Sequence, residues 1–145
     1  MQTKSEIEEL ITRHVSQRRE VEFAYLFGSF THHERFEDID VAVFLNDTTV
    51  LRDRKTHPYG YESTLLGELS SLLHIDAIDF VVLNKAGLTL FTRVINSGKK
   101  VFERDRIRRI YVENSIRKQF IDSKPLRDIQ NYYLAMRLKD SYARS

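Results

Sequence analysis

The chain has no cysteine, and its 145 residues include only five glycines and two prolines. Without cysteine there is no disulfide and no thiolate metal site, and a reducing cytoplasm is the expected compartment. No apolar run approaches the roughly 20 residues that a bilayer-spanning helix needs, so no membrane contact is expected. The start, MQTKSEIEEL, is acidic and amphipathic, unlike a secretory signal. A charge excess is missing too. Lys and Arg number 23 against 21 Asp and Glu, and the resulting +2 is too small to imply direct nucleic-acid binding. Repeats, low-complexity segments and flexible linkers are also absent. What remains is 41% hydrophobic and 30% charged, an ordinary soluble balance on a chain long enough for one buried core.

Periodicity is what the chain does have. Ser5-Glu6-Ile7-Glu8 has the Ser-x-x-Glu spacing of a capping box, and Ile7, Leu10, Ile11 and Val15 repeat on one face. The opening therefore reads as a helix, closed by the basic Gln17-Arg18-Arg19 at the negative end of its dipole. Val21 to Phe27 predicts a strand stopped by Gly28, and Ile39 to Leu45 a second one closed by Asn46-Asp47. His57-Pro58-Tyr59-Gly60 marks a loop. Leu65, Leu66, Leu69, Leu72 and Leu73 then form a helical packing stripe. A third strand is expected over Asp76 to Leu83. Another helix follows over Gly87 to Ser97, with Leu88, Phe91, Val94 and Ile95 inward and Gly98 as its C′ residue. Lys100 to Glu103 reads as a short edge strand. From Asp105 two helices follow, broken near Ser123-Lys124-Pro125. The fold class is α/β, with a small mixed sheet packed with helices and a helical C-terminal tail. One domain spans 1–145, its body about 1–104 and its tail about 105–145.

The chemistry gathers on one sheet face. Side chains alternate along a strand, so Asp38 and Asp40 share a face while Ile39, Val41, Val43 and Leu45 take the other. In the third strand Asp79 lies with Ala77 and Val81, opposite Ile78, Phe80 and Val82. If the second and third strands are neighbours, three carboxylates converge. Such a group repels itself and raises its own pKa values unless a cation neutralises it, and all-oxygen ligands favour Mg²⁺ or Mn²⁺ over zinc. Gly28-Ser29, at a strand end, permits a tight turn to which a phosphate could come close. Taken alone, Gly-Ser is most often a plain turn, and Asp-x-Asp a solvated strand face. The combination of strand, Gly-Ser, Asp-x-Asp in a second strand and a lone Asp in a third is what points to a metal-and-triphosphate site.

That combination resembles the nucleotidyltransferase superfamily with a DNA-polymerase-β-like palm. It looks closest to the minimal nucleotidyltransferases, the MNT antitoxins of HEPN–MNT toxin–antitoxin pairs. The resemblance rests on Leu26-Phe27-Gly28-Ser29, on Asp38-Ile39-Asp40 and on Ile78-Asp79-Phe80-Val81-Val82-Leu83-Asn84. It continues through Val101-Phe102-Glu103-Arg104-Asp105 and Phe120 to Leu126, and so covers nearly the whole chain. It implies that about 1–104 is the catalytic palm, with Asp38 and Asp40 ligating Mg²⁺. Asp79 would be the third carboxylate, assisting the metal and activating a hydroxyl, while Gly28 and Ser29 hold the triphosphate. It also implies transfer of AMP from ATP to a tyrosine hydroxyl of a HEPN ribonuclease toxin, which silences that partner. The link from Ser29 to Asp38 is shorter than the family's usual one and reads FTHHERFE where an Arg- and Gly-containing turn is common.

Two other functions fit the same residues: an antitoxin that acts by binding alone, and a nucleotidyltransferase for a small molecule such as an aminoglycoside. The second is weakened by the lack of another domain to enclose the substrate. His32-His33, in a polar turn with no matching ligand cluster, reads as solvent-exposed. Arg104, Arg106, Arg108 and Arg109, interleaved with acids, read as a solvated helix face rather than a contact for RNA. Phe120, Tyr132 and Tyr133 are read as core or partner-facing aromatics.

Overall fold

The computed structural model describes residues 2–32, 34 and 38–143. Helix α1 (Lys4–Ser16) leads into strand β1 (Val21–Phe27) and a single helical turn, α2 (Ser29–His32). Strand β2 (Ile39–Leu45), a 3₁₀ turn (Thr48–Arg52), helix α3 (Tyr61–Leu73) and strand β3 (Ile78–Val82) follow. After a second 3₁₀ turn (Leu83–Lys85) come α4 (Leu88–Ser97), β4 (Lys99–Glu103), α5 (Arg106–Asp122) and α6 (Lys124–Ala143). The strands form one mixed sheet in the order β3-β2-β1-β4, with β2 and β3 parallel and the other pairs antiparallel.

Both faces of the sheet are covered. On one side α1 and α3 bury Ile7, Ile11, Val15, Leu65, Leu69 and Leu73 against Ile39, Val41, Val43 and Ile78. On the other, Phe91, Val94 and Ile95 of α4 pack on Phe23, Tyr25 and Ala42, with Val112 and Ile116 of α5 alongside. The inward set expected for β2 is therefore the set found. β3 is shorter than predicted, because Asp76 and Ala77 lead into it and Leu83 opens the 3₁₀ turn. Asn84 extends the β2 pairing past that point: its side-chain amide accepts from Leu45 N at 2.8 Å and donates to Leu45 O at 2.9 Å.

Three local expectations change. The cap of α1 is Thr3 with Glu6, two residues ahead of the expected Ser5–Glu8 pair. Thr3 Oγ1 accepts from Glu6 N and the Glu6 carboxylate accepts from Thr3 N. Thr caps through its hydroxyl as Ser does, and Thr3 is where the backbone is still extended. Arg18 does not sit in the last helical turn; it forms ion pairs with Glu68 and Glu20. Gly98 is no left-handed C′ residue either, since its φ is −78°. It is glycine because a Cβ there would lie 2.5 Å from Val94 O and 3.2 Å from Leu26 O, so a side chain would push α4 off the sheet.

The tail is tied to the body by polar contacts. Arg104 donates to the carbonyls of Val21, Ser16 and Arg18 at 3.0–3.1 Å, joining the end of α1 to the start of β1. Tyr25 Oη donates to the buried Glu113 carboxylate of α5, which also pairs with Arg109 at 2.9 Å. Burial, then the Glu113 carboxylate, holds the Tyr25 hydroxyl well above its ordinary pKa, so it remains a donor. Arg104 and Arg109 are thus structural cations, and Arg108 lies 4.0 Å from Glu22. Tyr25→Phe leaves the buried Glu113 short of a donor and should lower stability by about 1–2 kcal/mol in urea unfolding.

Candidate active site

The parallel register of β2 and β3 decides the site. Ile39 pairs with Ile78, Asp40 with Asp79 and Val41 with Phe80, so the two inner carboxylates stand side by side. Ile39 N donates to Ala77 O at 2.9 Å and fixes the start of that pairing. On its other side Asp40 faces Phe27, the last residue of β1. Asp38 lies just before β2 and is exposed, Asp79 is exposed and Asp40 half-buried. The neighbour strands assumed from sequence are real, and they bring Asp40 and Asp79 together with Asp38 at the edge of the pair.

Gly28 stands directly over Asp40. Its φ is +78°, a left-handed conformation, and a Cβ built on it would lie 2.1 Å from Asp40 Oδ2. Only bare backbone fits against this carboxylate. Thr31 closes the turn, with its N–H and its hydroxyl both donating to Gly28 O at 3.2 and 2.9 Å. Ser29 Oγ donates to the Asp38 carbonyl at 3.3 Å, which joins the Gly-Ser turn to the start of the Asp-x-Asp strand across the link. Thr31 went unnoticed in the sequence; a hydroxyl three residues after a turn glycine was the available signal for it.

Burial foremost, then the charges of Asp79 and Asp38 and a hydrogen bond with Asp79, holds the Asp40 carboxyl above the ordinary aspartate pKa. Two carboxyl groups hydrogen-bond only when one keeps a proton, so the pair competes for protons in the absence of a cation. The donor set is oxygen only, next to a backbone cradle that admits no side chain, and it fits a hard divalent cation such as Mg²⁺. Among the described residues, no three His, Asp or Glu side chains are gathered closely enough to form a closed metal cage. The inner pair is formed and Asp38 stands apart at the strand end. His32 is exposed, and His33 falls outside the described residues, as do Arg35, Phe36 and Glu37 of the link. A cleft of about 290 Å³ on the α1 side of the turn is lined by Leu26, Phe30, Thr31 and Lys99 but by none of the three carboxylates.

A strand-end glycine turn over paired sheet carboxylates is the arrangement of a nucleotidyltransferase palm. Residues 9–107 match the family described as Polymerase beta, Nucleotidyltransferase, and the chain belongs to it. No curated protein matches this chain. Among solved structures, a chain of the complex described as tri-AMPylated Shewanella oneidensis HEPN toxin with MNT antitoxin is 21% identical, with a TM-score of 0.66. That match covers 91% of this chain and 99% of the other. A chain of the MntA–HepT toxin–antitoxin is 22% identical with a TM-score of 0.63, covering 88% and 97%. One from a toxin–antitoxin with AMP-PNP is 23% identical, also at 0.63, covering 88% and 98%. At these identities the likeness is one of fold.

Two outcomes follow from the geometry. The raised Asp40 pKa means that the metal-free fold loses stability as pH rises from the ordinary aspartate pKa through the raised one, and carries the full penalty above it. Metal-free Asp40→Asn should therefore melt above wild type at pH 7, with the gap closing below about pH 3, where both states are protonated. Gly28→Ala should cost roughly 1–2 kcal/mol for its left-handed backbone. It should also displace the Asp40 carboxylate and abolish any thermal stabilisation by Mg²⁺, as read by scanning calorimetry.

Proposed function

We propose that this chain is a Mg²⁺-dependent protein adenylyltransferase and the antitoxin of a HEPN ribonuclease toxin, moving AMP from ATP onto a tyrosine hydroxyl of that partner. The observation that carries the reading is Asp40 beside Asp79 beneath a glycine turn that admits no side chain. In this reading Asp38, Asp40 and Asp79 hold the metal, and Gly28 and Ser29 hold the triphosphate. Mg²⁺ bound there would offset the charge of the phosphates and of the leaving group. The tyrosine oxygen forms a bond to the α-phosphorus, the α–β phosphoanhydride bond breaks and pyrophosphate leaves. The hydroxyl proton passes to Asp79, the most exposed member of the inner pair. A phenol is mostly protonated at neutral pH, so a nearby base matters.

Support for the partner comes from the relatives. One is described as a complex in which the HEPN toxin is tri-AMPylated, and another as a toxin–antitoxin with AMP-PNP. The family match ends at residue 107, where α5 has just begun, in keeping with a catalytic body of about 1–104 and a separate helical tail. Among the described residues no helix is long and apolar enough to cross a membrane, and cytoplasmic action is the natural setting for such a pair. The rival reading, neutralisation by binding alone, draws on the open spacing of the carboxylates.

Label transfer separates the two. Incubated with ATP labelled at the α-phosphate, Mg²⁺ and the protein encoded beside its gene, wild type should label that partner on tyrosine. Asp40→Asn should lower the rate by about a hundredfold to a thousandfold, as expected when a group holding transition-state charge is lost. An unmodified partner that binds tightly yet takes up no label would sink the catalytic reading.

A further inference from the structure

The residue between the tail helices, Ser123, is anchored: Arg127 donates to Phe120 O at 2.6 Å and its guanidinium lies 3.6 Å from the centre of the Phe120 ring. Beyond that anchor α6 leaves the body. None of its 20 residues is buried. Leu126, Ile129, Tyr133 and Met136, spaced i, i+3, i+7 and i+10, form one stripe, with 59%, 53%, 60% and 46% of their surfaces exposed. A helix without tertiary burial is marginal in water, so an apolar stripe of this length is stabilised only by something that covers it.

Charge says what kind of surface that is. From residue 106 onward the chain carries ten Lys and Arg against four Asp and Glu, whereas the first 105 residues carry 13 against 17. Arg106, Lys118, Arg137 and Lys139 have no ion pair among the described residues. Some acids of the body are engaged within it, Glu8 with Lys99, Glu62 with Lys85, Glu68 with Arg18 and Glu103 with Arg109. Two α6 helices laid together would each bring four cations and two acids, so like charges would meet. A nucleic acid would satisfy the charge and leave the apolar stripe uncovered.

We propose that α6 is the docking helix of this protein. Its Leu126–Ile129–Tyr133–Met136 stripe seats in an apolar groove of a partner protein whose rim is acidic and meets Arg137 and Lys139. The inference rests on the reading above for the identity of that partner, the substrate of the palm. It assigns binding to the tail and chemistry to the sheet. The tail holds the acceptor protein while its tyrosine reaches Asp40 and Asp79.

Titration calorimetry of the full chain against the protein encoded beside its gene, without nucleotide, tests this. Ile129→Gln/Tyr133→Gln keeps helix-forming residues in α6 and should weaken binding about a hundredfold or more, as loss of two anchoring side chains does. Arg137→Glu/Lys139→Glu should weaken it about tenfold at low salt, with the loss shrinking as salt is raised. Both variants should melt at the wild-type temperature, because α6 buries nothing in the body. Wild-type affinity in the Gln variant overturns the proposal, as does a wild-type chain that does not bind that protein. Sedimentation showing that these residues instead mediate self-association of the chain alone, or loss of RNA binding as the only effect, also overturns it. The two readings fail separately. Binding lost in the α6 variants with no label ever transferred leaves docking standing and removes the enzyme. Label transferred at undiminished affinity by the α6 variants does the reverse.

Discussion

Two aspartates side by side on adjacent parallel strands repel, and the fold around them keeps the strands from sliding apart or out of register. A slip of one residue between β2 and β3 would carry Ile39, Val41 and Val43 out of the core and Asp40 into it. The apolar alternation on the buried face thus sets the register, and the register sets the distance between carboxylates on the other. The Asn84 amide, paired with both backbone groups of Leu45, holds the far end of the same strand pair. Hydrophobic burial supplies the force and the Asp40–Asp79 pair bears the load. The raised pKa of Asp40 records that cost in the metal-free state.

Gly28 depends on the same register. Its backbone can lie against Asp40 only because β1 pairs with β2 so that Phe27 faces Asp40, which leaves the next residue to turn across the carboxylate. The second face of the sheet then has to be closed at one end and open at the other. α4 and α5 close it over Phe23, Tyr25 and Ala42, stopping short of the carboxylates. The Tyr25–Glu113–Arg109 contacts fix α5 there through polar groups that lost water on burial and are satisfied only in this arrangement.

Much of this was legible in the residues, for reasons that also mark where reading stops. β1 and β2 have the bounds expected because Gly28 and Asn46-Asp47 punctuate clean apolar runs. The carboxylate face follows from strand alternation, although the pairing of β2 with β3 was an assumption until the sheet order supplied it. The cap of α1 was misplaced because Thr3–Glu6 and Ser5–Glu8 share one spacing, and only backbone geometry separates them. Gly98 was misread because its glycine answers a close approach by α4 and β1, which are separate in sequence. The arginines after β4 looked like a solvated face, yet Arg104 and Arg109 meet partners that are distant along the chain or carried on the next turn. Short-range pattern gave elements, and long-range contact gave purpose.

The tail shows the limit most clearly. Tyr132 and Tyr133 could be read as core or as partner-facing, since an apolar stripe has the same sequence whether a protein's own body covers it or another molecule does. In the structure they are exposed, which leaves the partner-facing reading and removes the core one. That difference has a physical consequence for the site. Asp38 and Asp79 are exposed at the end of the sheet, and the cleft at the Gly28 turn is lined by none of the three carboxylates. A transferase whose acceptor is itself a protein can gain orientation from binding away from the reacting groups, because proximity accelerates transfer only when the reacting oxygen is held in line. In the docking proposal, the exposed, cationic, apolar helix that follows Ser123 supplies that hold.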